Sequence, residues 1–300
     1  MLNHQNDIYI NGRKIDINNY TDVKLVPFDQ EPNSPFFMQF SSDHELIMQI
    51  FRGIMNTNEI SQRALYLTEL LLEENPNDSA IWWYRSKILN KIGFDPLKEL
   101  ELTDNVIKTN LKSYQCWQHR KWVLRNMKKK PNDLNYLRQR LYEDTRNFHA
   151  WSYAIWLGEF YRMYDEVLNL TTEFIDLDKT NSSAWNARIT LFKESKKDLN
   201  EELIFTFTKI TVDGGNESCC NHIRAIIAIE SELISISIKK TREFLEKFPN
   251  DKSMLILLLH LLDKINDYSE HEKICSHLIK IDSLRKRYWK LVMKKDSKYV

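Results

Sequence analysis

The sequence predicts an all-α fold, an alpha-alpha superhelix in which helical hairpins repeat every 34–35 residues and stack into a solenoid. Three observations predict it. Tryptophans fall at Trp82, Trp117, Trp151 and Trp185, with spacings of 35, 34 and 34, and the phase continues through Cys220, Met254 and Trp289 at 35, 34 and 35. One bulky apolar side chain at a fixed point of a unit this long marks a helical repeat array. Between the markers apolar residues recur three and four apart, the period of a half-buried helix. Only 6 glycines and 7 prolines occur in 300 residues, few for a fold built on tight turns.

Residues 1–40 lie outside the repeat and read as an N-terminal extended arm, partly disordered; residues 41–300 read as the solenoid domain. In the arm, Asp7 to Ile17 can close a small hairpin around Asn11-Gly12, a pair suited to the left-handed backbone of a two-residue loop. Val26-Pro27-Phe28 and Glu31-Pro32-Asn33-Ser34-Pro35 make the next stretch non-helical. Such an arm is either loose or laid on a partner. Helical period begins near Ser42, and a first pair is joined at Asn56-Thr57-Asn58. From Asn75-Pro76-Asn77 onward each unit reads as a marker-bearing helix followed by its return helix. Lys128-Lys129-Lys130-Pro131-Asn132, Asp213-Gly214-Gly215 and Phe248-Pro249-Asn250-Asp251 form the clearest turns. Four residues before the marker stand Asp78, Ser113, Asn147, Asn181 and Asn216, all able to accept hydrogen bonds from the free amides of a helix start. Three residues after it stand Arg85, Arg120 and Arg188. Trp and Arg at these positions read as structural: the ring fills the gap between units, and the guanidinium reaches an acid or carbonyl of the adjacent helix.

Composition excludes several classes. At 42% hydrophobic and 28% charged, the chain buries a large core. Lys+Arg 43 against Asp+Glu 42 leaves a formal charge of +1, so the chain as a whole is neither a nucleic-acid binder nor a polybasic membrane binder, which leaves only local patches open. Neither G-x-G-x-x-G nor a P-loop occurs. The four cysteines, Cys116, Cys219, Cys220 and Cys275, include no C-x-x-C pair and read as reduced intracellular thiols without a metal site. The start is polar and the apolar run Leu255 to Leu262 is too short to span a bilayer. A cytoplasmic, non-transmembrane protein is expected.

The residues that break the repeat pattern cluster at two helix starts. Lys112 precedes the cap Ser113 and Tyr114 follows it; Arg146 and His149 bracket Asn147 one unit later. Equivalent positions of successive solenoid units lie side by side, so Lys112, Tyr114, Asn147 and His149 are expected on one edge. Two readings stand: ordinary exposed polar residues, or an anion site combining free amides, a lysine and a histidine, suited to phosphate or diphosphate. No nucleophile with a neighbouring base accompanies them, so chemistry by this chain alone is not expected.

Four stretches, Asn77 to Arg85, Lys112 to Arg120, Arg146 to Trp151 and Asn181 to Arg188, together resemble the repeats of protein prenyltransferase alpha subunits. The resemblance spans about Tyr20 to Trp289 and implies that the solenoid is a right-handed crescent. Val26-Pro27, Asp29 to Asn33, Phe51-Arg52 and Arg285-Lys286-Arg287-Tyr288-Trp289 are most similar to the alpha subunit shared by protein farnesyltransferase and geranylgeranyltransferase type I; the type II enzyme, which acts on Rab proteins, is the alternative. A non-catalytic tetratricopeptide-like scaffold is a further alternative. The resemblance implies a heterodimer with a beta subunit that carries catalytic Zn2+, an isoprenoid diphosphate and a CaaX peptide as substrates, and Mg2+ at the diphosphate for farnesyl transfer. It implies that Lys112, Tyr114 and His149 stabilise the leaving diphosphate, that Gln115 lies near the peptide carboxylate, and that Asn147 caps and positions. Two departures stand out. Ser152-Tyr153-Ala154 replaces a His-Arg or Tyr-Arg pair, so one ionic contact is expected to be missing. Cys219-Cys220 replaces Ala-Trp, so a smaller plug and a void are expected.

Overall fold

The computed structural model describes residues 8–10, 12–28, 41–127, 133–211 and 217–295. Asn11 of the hairpin turn, the prolines after Phe28, the lysine triplet, the Asp213-Gly214-Gly215 break and the cap Asn216 lie outside the described residues. The chain forms two compact units, divided between Asn132 and Asp133, although composition shows no break there.

In the first unit, strands β1 (Ile8–Ile10) and β2 (Arg13–Ile15) pair antiparallel, Ile8 opposite Ile15. A lone hairpin is marginal in water; this one buries Ile8 and Ile15 and rests on α1 (Ser42–Thr57) and α2 (Gln62–Glu74). Arg13 reaches Glu73 at 3.0 Å. Further along, buried Tyr20 donates its hydroxyl to the Arg63 carbonyl at 3.2 Å, and Arg63 grips both oxygens of Asp22 at 2.7 Å. The Arg52 Nε donates to the Val26 carbonyl at 2.9 Å. Gly53 permits this contact: a Cβ there would stand 2.3 Å from the Lys24 carbonyl oxygen. Residues 8–10 and 12–28 therefore lie on the chain's own first helix pair.

The unit continues with α3 (Ser79–Ile92), α4 (Pro96–Thr109) and α5 (Tyr114–Arg125). Each starts where the sequence supplies an acceptor: Asp78 takes the Ala80 amide at 2.8 Å, Asp95 takes Leu97 at 2.9 Å with Pro96 in the first turn, and Ser113 takes Cys116 at 3.4 Å.

The second unit holds α6 (Asp133–Glu143), α7 (Phe148–Phe160), α8 (Tyr164–Leu177), α9 (Ser182–Ser195), α10 (Leu199–Lys209), α11 (Glu217–Ile229), α12 (Ile234–Lys247), α13 (Lys252–Lys264), α14 (His271–Ile281) and α15 (Lys286–Lys295). Asn147 and Asn181 cap α7 and α9; Asp251 caps α13 one residue closer to its marker. The even-numbered helices pack on the odd, marker-bearing helix that follows them, α2 on α3, α4 on α5, α6 on α7, α8 on α9, α10 on α11 and α12 on α13, whereas the expected framing is met by α7 on α8 and α13 on α14. Odd helices then stack in rows, α3 with α5, and α7 with α9, α11 and α13.

The markers are buried and tied. Trp82, Trp117, Trp151 and Trp185 each donate the indole Nε1 to the carbonyl six residues earlier, those of Pro76, Leu111, Thr145 and Lys179, at 2.9 Å in every case. The indole thus fills the core and closes the turn before its own helix. Cys220 cannot make this bond; its Sγ instead meets the Met254 Sδ at 3.7 Å, and both side chains are buried. Met254 of the next repeat packs against this smaller plug.

Candidate functional site

The repeat arginines anchor a buried polar network with a repeating register. Arg85 Nη1 donates to the Leu65 carbonyl and the Thr68 hydroxyl, at 3.3 and 3.1 Å, while Nε and Nη2 bind both oxygens of Glu99 at 2.7 and 2.8 Å. His119 Nε2 donates to the same Glu99 Oε1 at 2.6 Å, and its Nδ1 accepts from the Ser86 hydroxyl at 3.1 Å. Burial keeps the imidazole below its ordinary 6.5 and neutral. Burial alone would raise the Glu99 carboxyl, but hydrogen bonds from His119 and Arg85 and the Arg85 charge outweigh it and hold the group down to about 2. The second unit repeats the pattern: Arg188 donates to the Leu168 carbonyl, Thr171 and both Glu202 oxygens, and His222 Nε2 donates to Glu202 Oε1 at 2.7 Å. The Trp82 ring lies against His119, and Trp185 against His222, tilted by 38° and 52°, both with centroids 4.7 Å apart. Arg120 keeps the carbonyl and threonine contacts, to Leu100 and Thr103, and adds Asp104.

Sequence reasoning missed these acids and threonines. The signal was present, since Glu99 and Glu202 stand eighteen residues before the next marker, and Thr68, Thr103 and Thr171 fourteen before their own. The same register explains Ser152-Tyr153-Ala154. Where Arg85 and Arg188 stand, the Trp151 helix has Ala154; in the threonine position it has Leu137; in the acid position Val167; in the histidine position Ala187. All four are fully buried. The whole cluster is thus replaced by apolar side chains, which is more than one missing ionic contact. Tyr153 donates its hydroxyl to Asp133, as His119 and His222 donate to their acids.

Beyond this core, the singled-out residues stand at helix starts. In the first unit Lys112 is exposed in the turn before α5, Ser113 beneath it is buried as the cap, Tyr114 opens the helix 54% exposed, and Gln115 is half-buried. The Lys112 ammonium has no carboxylate partner among the described residues. In the second unit Asn147 is buried, its Oδ1 accepting the Ala150 amide at 2.9 Å and its Nδ2 donating to Asp144. That side chain is committed to the cap. His149 is half-buried in the first turn of α7, its ring edge-on to the exposed Phe148 at 5.5 Å. Arg146, before the cap, is bound to Asp178 and Thr180. The structure brings Lys112, Tyr114 and Gln115 to one helix start, and Asn147 and His149 to another. The first turn of each helix directs free amides and the positive end of the helix dipole outward.

An open cleft of about 580 Å3 runs across α7, α9 and α11, lined by Phe148, Trp151, Ser152, Trp185, Asn186 and His222 among others, none of them charged. Burial pushes the Cys116 thiol up strongly and lifts Cys220 to about 12, so neither is poised as a nucleophile. Among the described residues no group of three His, Cys, Asp or Glu side chains could hold a metal, and no helix is long and apolar enough to cross a membrane.

Comparison with known proteins agrees with this geometry. The family model described as protein prenyltransferase alpha subunit repeat matches residues 61–92 and 96–127, which are the α2–α3 and α4–α5 hairpins. The protein farnesyltransferase/geranylgeranyltransferase type-1 subunit alpha of Candida albicans is 28% identical over 90% of this chain and 94% of its own length. The geranylgeranyl transferase type-2 subunit alpha of Saccharomyces cerevisiae is 26% identical over 77% and 85%. In the solved structure of Candida albicans protein geranylgeranyltransferase-I complexed with GGPP, a chain superposes with a TM-score of 0.80 and 26% identity over 92% of this chain and 98% of that one. Over nearly its whole length the chain is similar to protein prenyltransferase alpha subunits.

Proposed function

We propose that this chain is the alpha subunit of a heterodimeric CaaX protein prenyltransferase of the farnesyltransferase and geranylgeranyltransferase type I kind. The observation that carries the reading is the similarity to the type I complex over nearly the full length of both chains. The exposed ammonium of Lys112, without a carboxylate partner among the described residues and placed before a helix N-terminus, fits a role toward an anion.

The reaction joins a cysteine sulfur of the target to C1 of the isoprenoid while the C1–O bond to diphosphate breaks. Zn2+ on the beta subunit would supply a thiolate at neutral pH, and Mg2+ would neutralise diphosphate charge during farnesyl transfer. This chain supplies donors. Lys112, Tyr114 and His149 bind the diphosphate oxygens and hold them more tightly as the departing group gains charge, which lowers the barrier rather than only improving binding. Gln115 lies toward the peptide carboxylate, and Asn147 fixes the start of α7 so that His149 is correctly presented.

Co-expression with candidate beta subunits, then assays with farnesyl and geranylgeranyl diphosphate, tests the reading. Lys112→Ala is expected to lower kcat roughly 100- to 1000-fold, as loss of an oxyanion-hole donor does, with the heterodimer still eluting as one species. Unchanged turnover in the intact complex would overturn the assignment. The similarity to a type II alpha subunit supports a second reading, geranylgeranyl transfer to Rab proteins; a stable complex only with a type II beta subunit, and activity only on double-cysteine tails, would establish it instead.

A further inference from the structure

The end of the second unit carries a surface that the proposed chemistry does not use. Ser283–Arg285 form a 3-10 turn that runs directly into α15. Along this stretch Leu284, Tyr288 and Leu291 are spaced four and three apart, the spacing of one helix face, and are 97%, 54% and 65% exposed. Isolated exposed leucines need no explanation; three large apolar side chains in one register do. Lys286, Arg287 and Lys290 alternate with them, all exposed and without a carboxylate partner among the described residues. No acid occurs between Asp282 and Asp296.

The helix is also held in a fixed orientation. Buried Trp289 donates its indole Nε1 to Asp282 Oδ2 at 2.9 Å, Arg285 Nε donates to the same oxygen at 2.6 Å, and α15 packs along α14. Asp282, at the end of α14, is thus neutralised from within. The opposite face keeps its leucines, tyrosine and cations outward.

We infer that α15 and the turn before it lie on a lipid surface bearing anionic headgroups. An interfacial helix needs apolar side chains that reach the acyl boundary and cations that meet the phosphates, with long lysine and arginine stems bridging the two levels. Leu284 in the turn, with Tyr288, Leu291, Lys286, Arg287 and Lys290 on the ten-residue helix, supplies both. A stable protein interface, by contrast, draws on about 20–30 residues a side, and three apolar side chains interleaved with cations offer little of that.

Flotation of the full chain, free and bound to its beta subunit, with phosphatidylcholine vesicles containing or lacking phosphatidylserine tests the inference. Binding is expected only with phosphatidylserine present and is expected to weaken with salt. Since each cation near such a surface is worth about 1 kcal/mol, Lys286→Gln/Arg287→Gln/Lys290→Gln is expected to lower partitioning about a hundredfold, and Leu284→Glu/Leu291→Glu to abolish it, with thermal unfolding unchanged because all five side chains are exposed. Absence of binding to either vesicle, or binding unaffected by both variants, overturns the inference. So does dissociation of the beta subunit by Leu284→Glu/Leu291→Glu, which would assign the stripe to a protein interface.

Discussion

Two clusters in the second unit occupy the same position in successive repeats and are built from opposite chemistry. Thr171, Arg188, Glu202 and His222 form a buried polar set in which every charge has an opposite partner. Leu137, Ala154, Val167 and Ala187 fill the corresponding positions with hydrocarbon. The contrast teaches that the repeat specifies a packing position and leaves its chemistry open, provided that all four members change together. Burying an ion pair costs desolvation that its attraction only just returns, so a complete apolar replacement is tolerated, whereas an incomplete one leaves a buried charge.

The strongest way to break the comparison is to convert one member only. Glu202→Leu strands Arg188 and His222 and is expected to cost about 3–5 kcal/mol, read as a lower denaturant midpoint at unchanged slope. Thr171→Leu/Arg188→Ala/Glu202→Val/His222→Ala, which copies the neighbouring repeat, is expected to lose less than the single change despite removing more contacts. A larger loss for the fourfold variant would show that the two positions are not interchangeable.

Acid sharpens the comparison further. The Glu99 carboxyl is held at about 2 against an ordinary 4.5. Its depressed value stabilises the fold by about 3 kcal/mol above pH 4.5, and that contribution is lost as pH falls toward 2. His119 and His222 are kept neutral by burial; the unfolded chain binds their protons first, so stability also declines as pH falls through the ordinary 6.5. Midpoints measured between pH 8 and 5 are expected to fall for the natural chain and to fall less for the fourfold variant, which lacks His222.

Much of this architecture is legible in the sequence because it depends on one residue type at one spacing. The tryptophan period and the caps Asp78, Ser113, Asn147 and Asn181 need no partner to be recognised. Glu99 and Glu202 were not legible, being two of 42 acidic residues and recognisable only through the arginines and histidines they meet across a hairpin. Nor was the pairing of α4 with α5, since apolar period reports that a face is buried and not which neighbour covers it. At the candidate site, the positions of Lys112, Tyr114 and His149 beside their helix starts follow directly from the cap spacing. The chemistry proposed for them rests on resemblance alone, because the diphosphate they are proposed to serve belongs to a substrate and not to the chain.

Tyr153 tests the middle ground between the two chemistries. It stands in the histidine position but serves Asp133 with a hydroxyl. Tyr153→Phe keeps the ring and its contact with Trp156 and deletes only the donor, so the expected loss is about 1.5–3 kcal/mol, the range for a hydrogen bond to a charged group.

The smallest expected effect concerns the feature all four tryptophan units share. Trp185→Phe keeps an aromatic plug against Phe205 and His222 but removes the indole donor to the Lys179 carbonyl. A neutral hydrogen bond contributes about 1 kcal/mol, and the smaller ring adds a modest packing loss. Cys220 already lacks such a donor, and Met254 closes over it without one. If the indole bond mainly fixes the turn before α9, hydrogen exchange in Trp185→Phe should rise at the amides of that turn and leave the centre of α9 protected; uniform loss of protection along α9 would show instead that the indole holds the helix through packing.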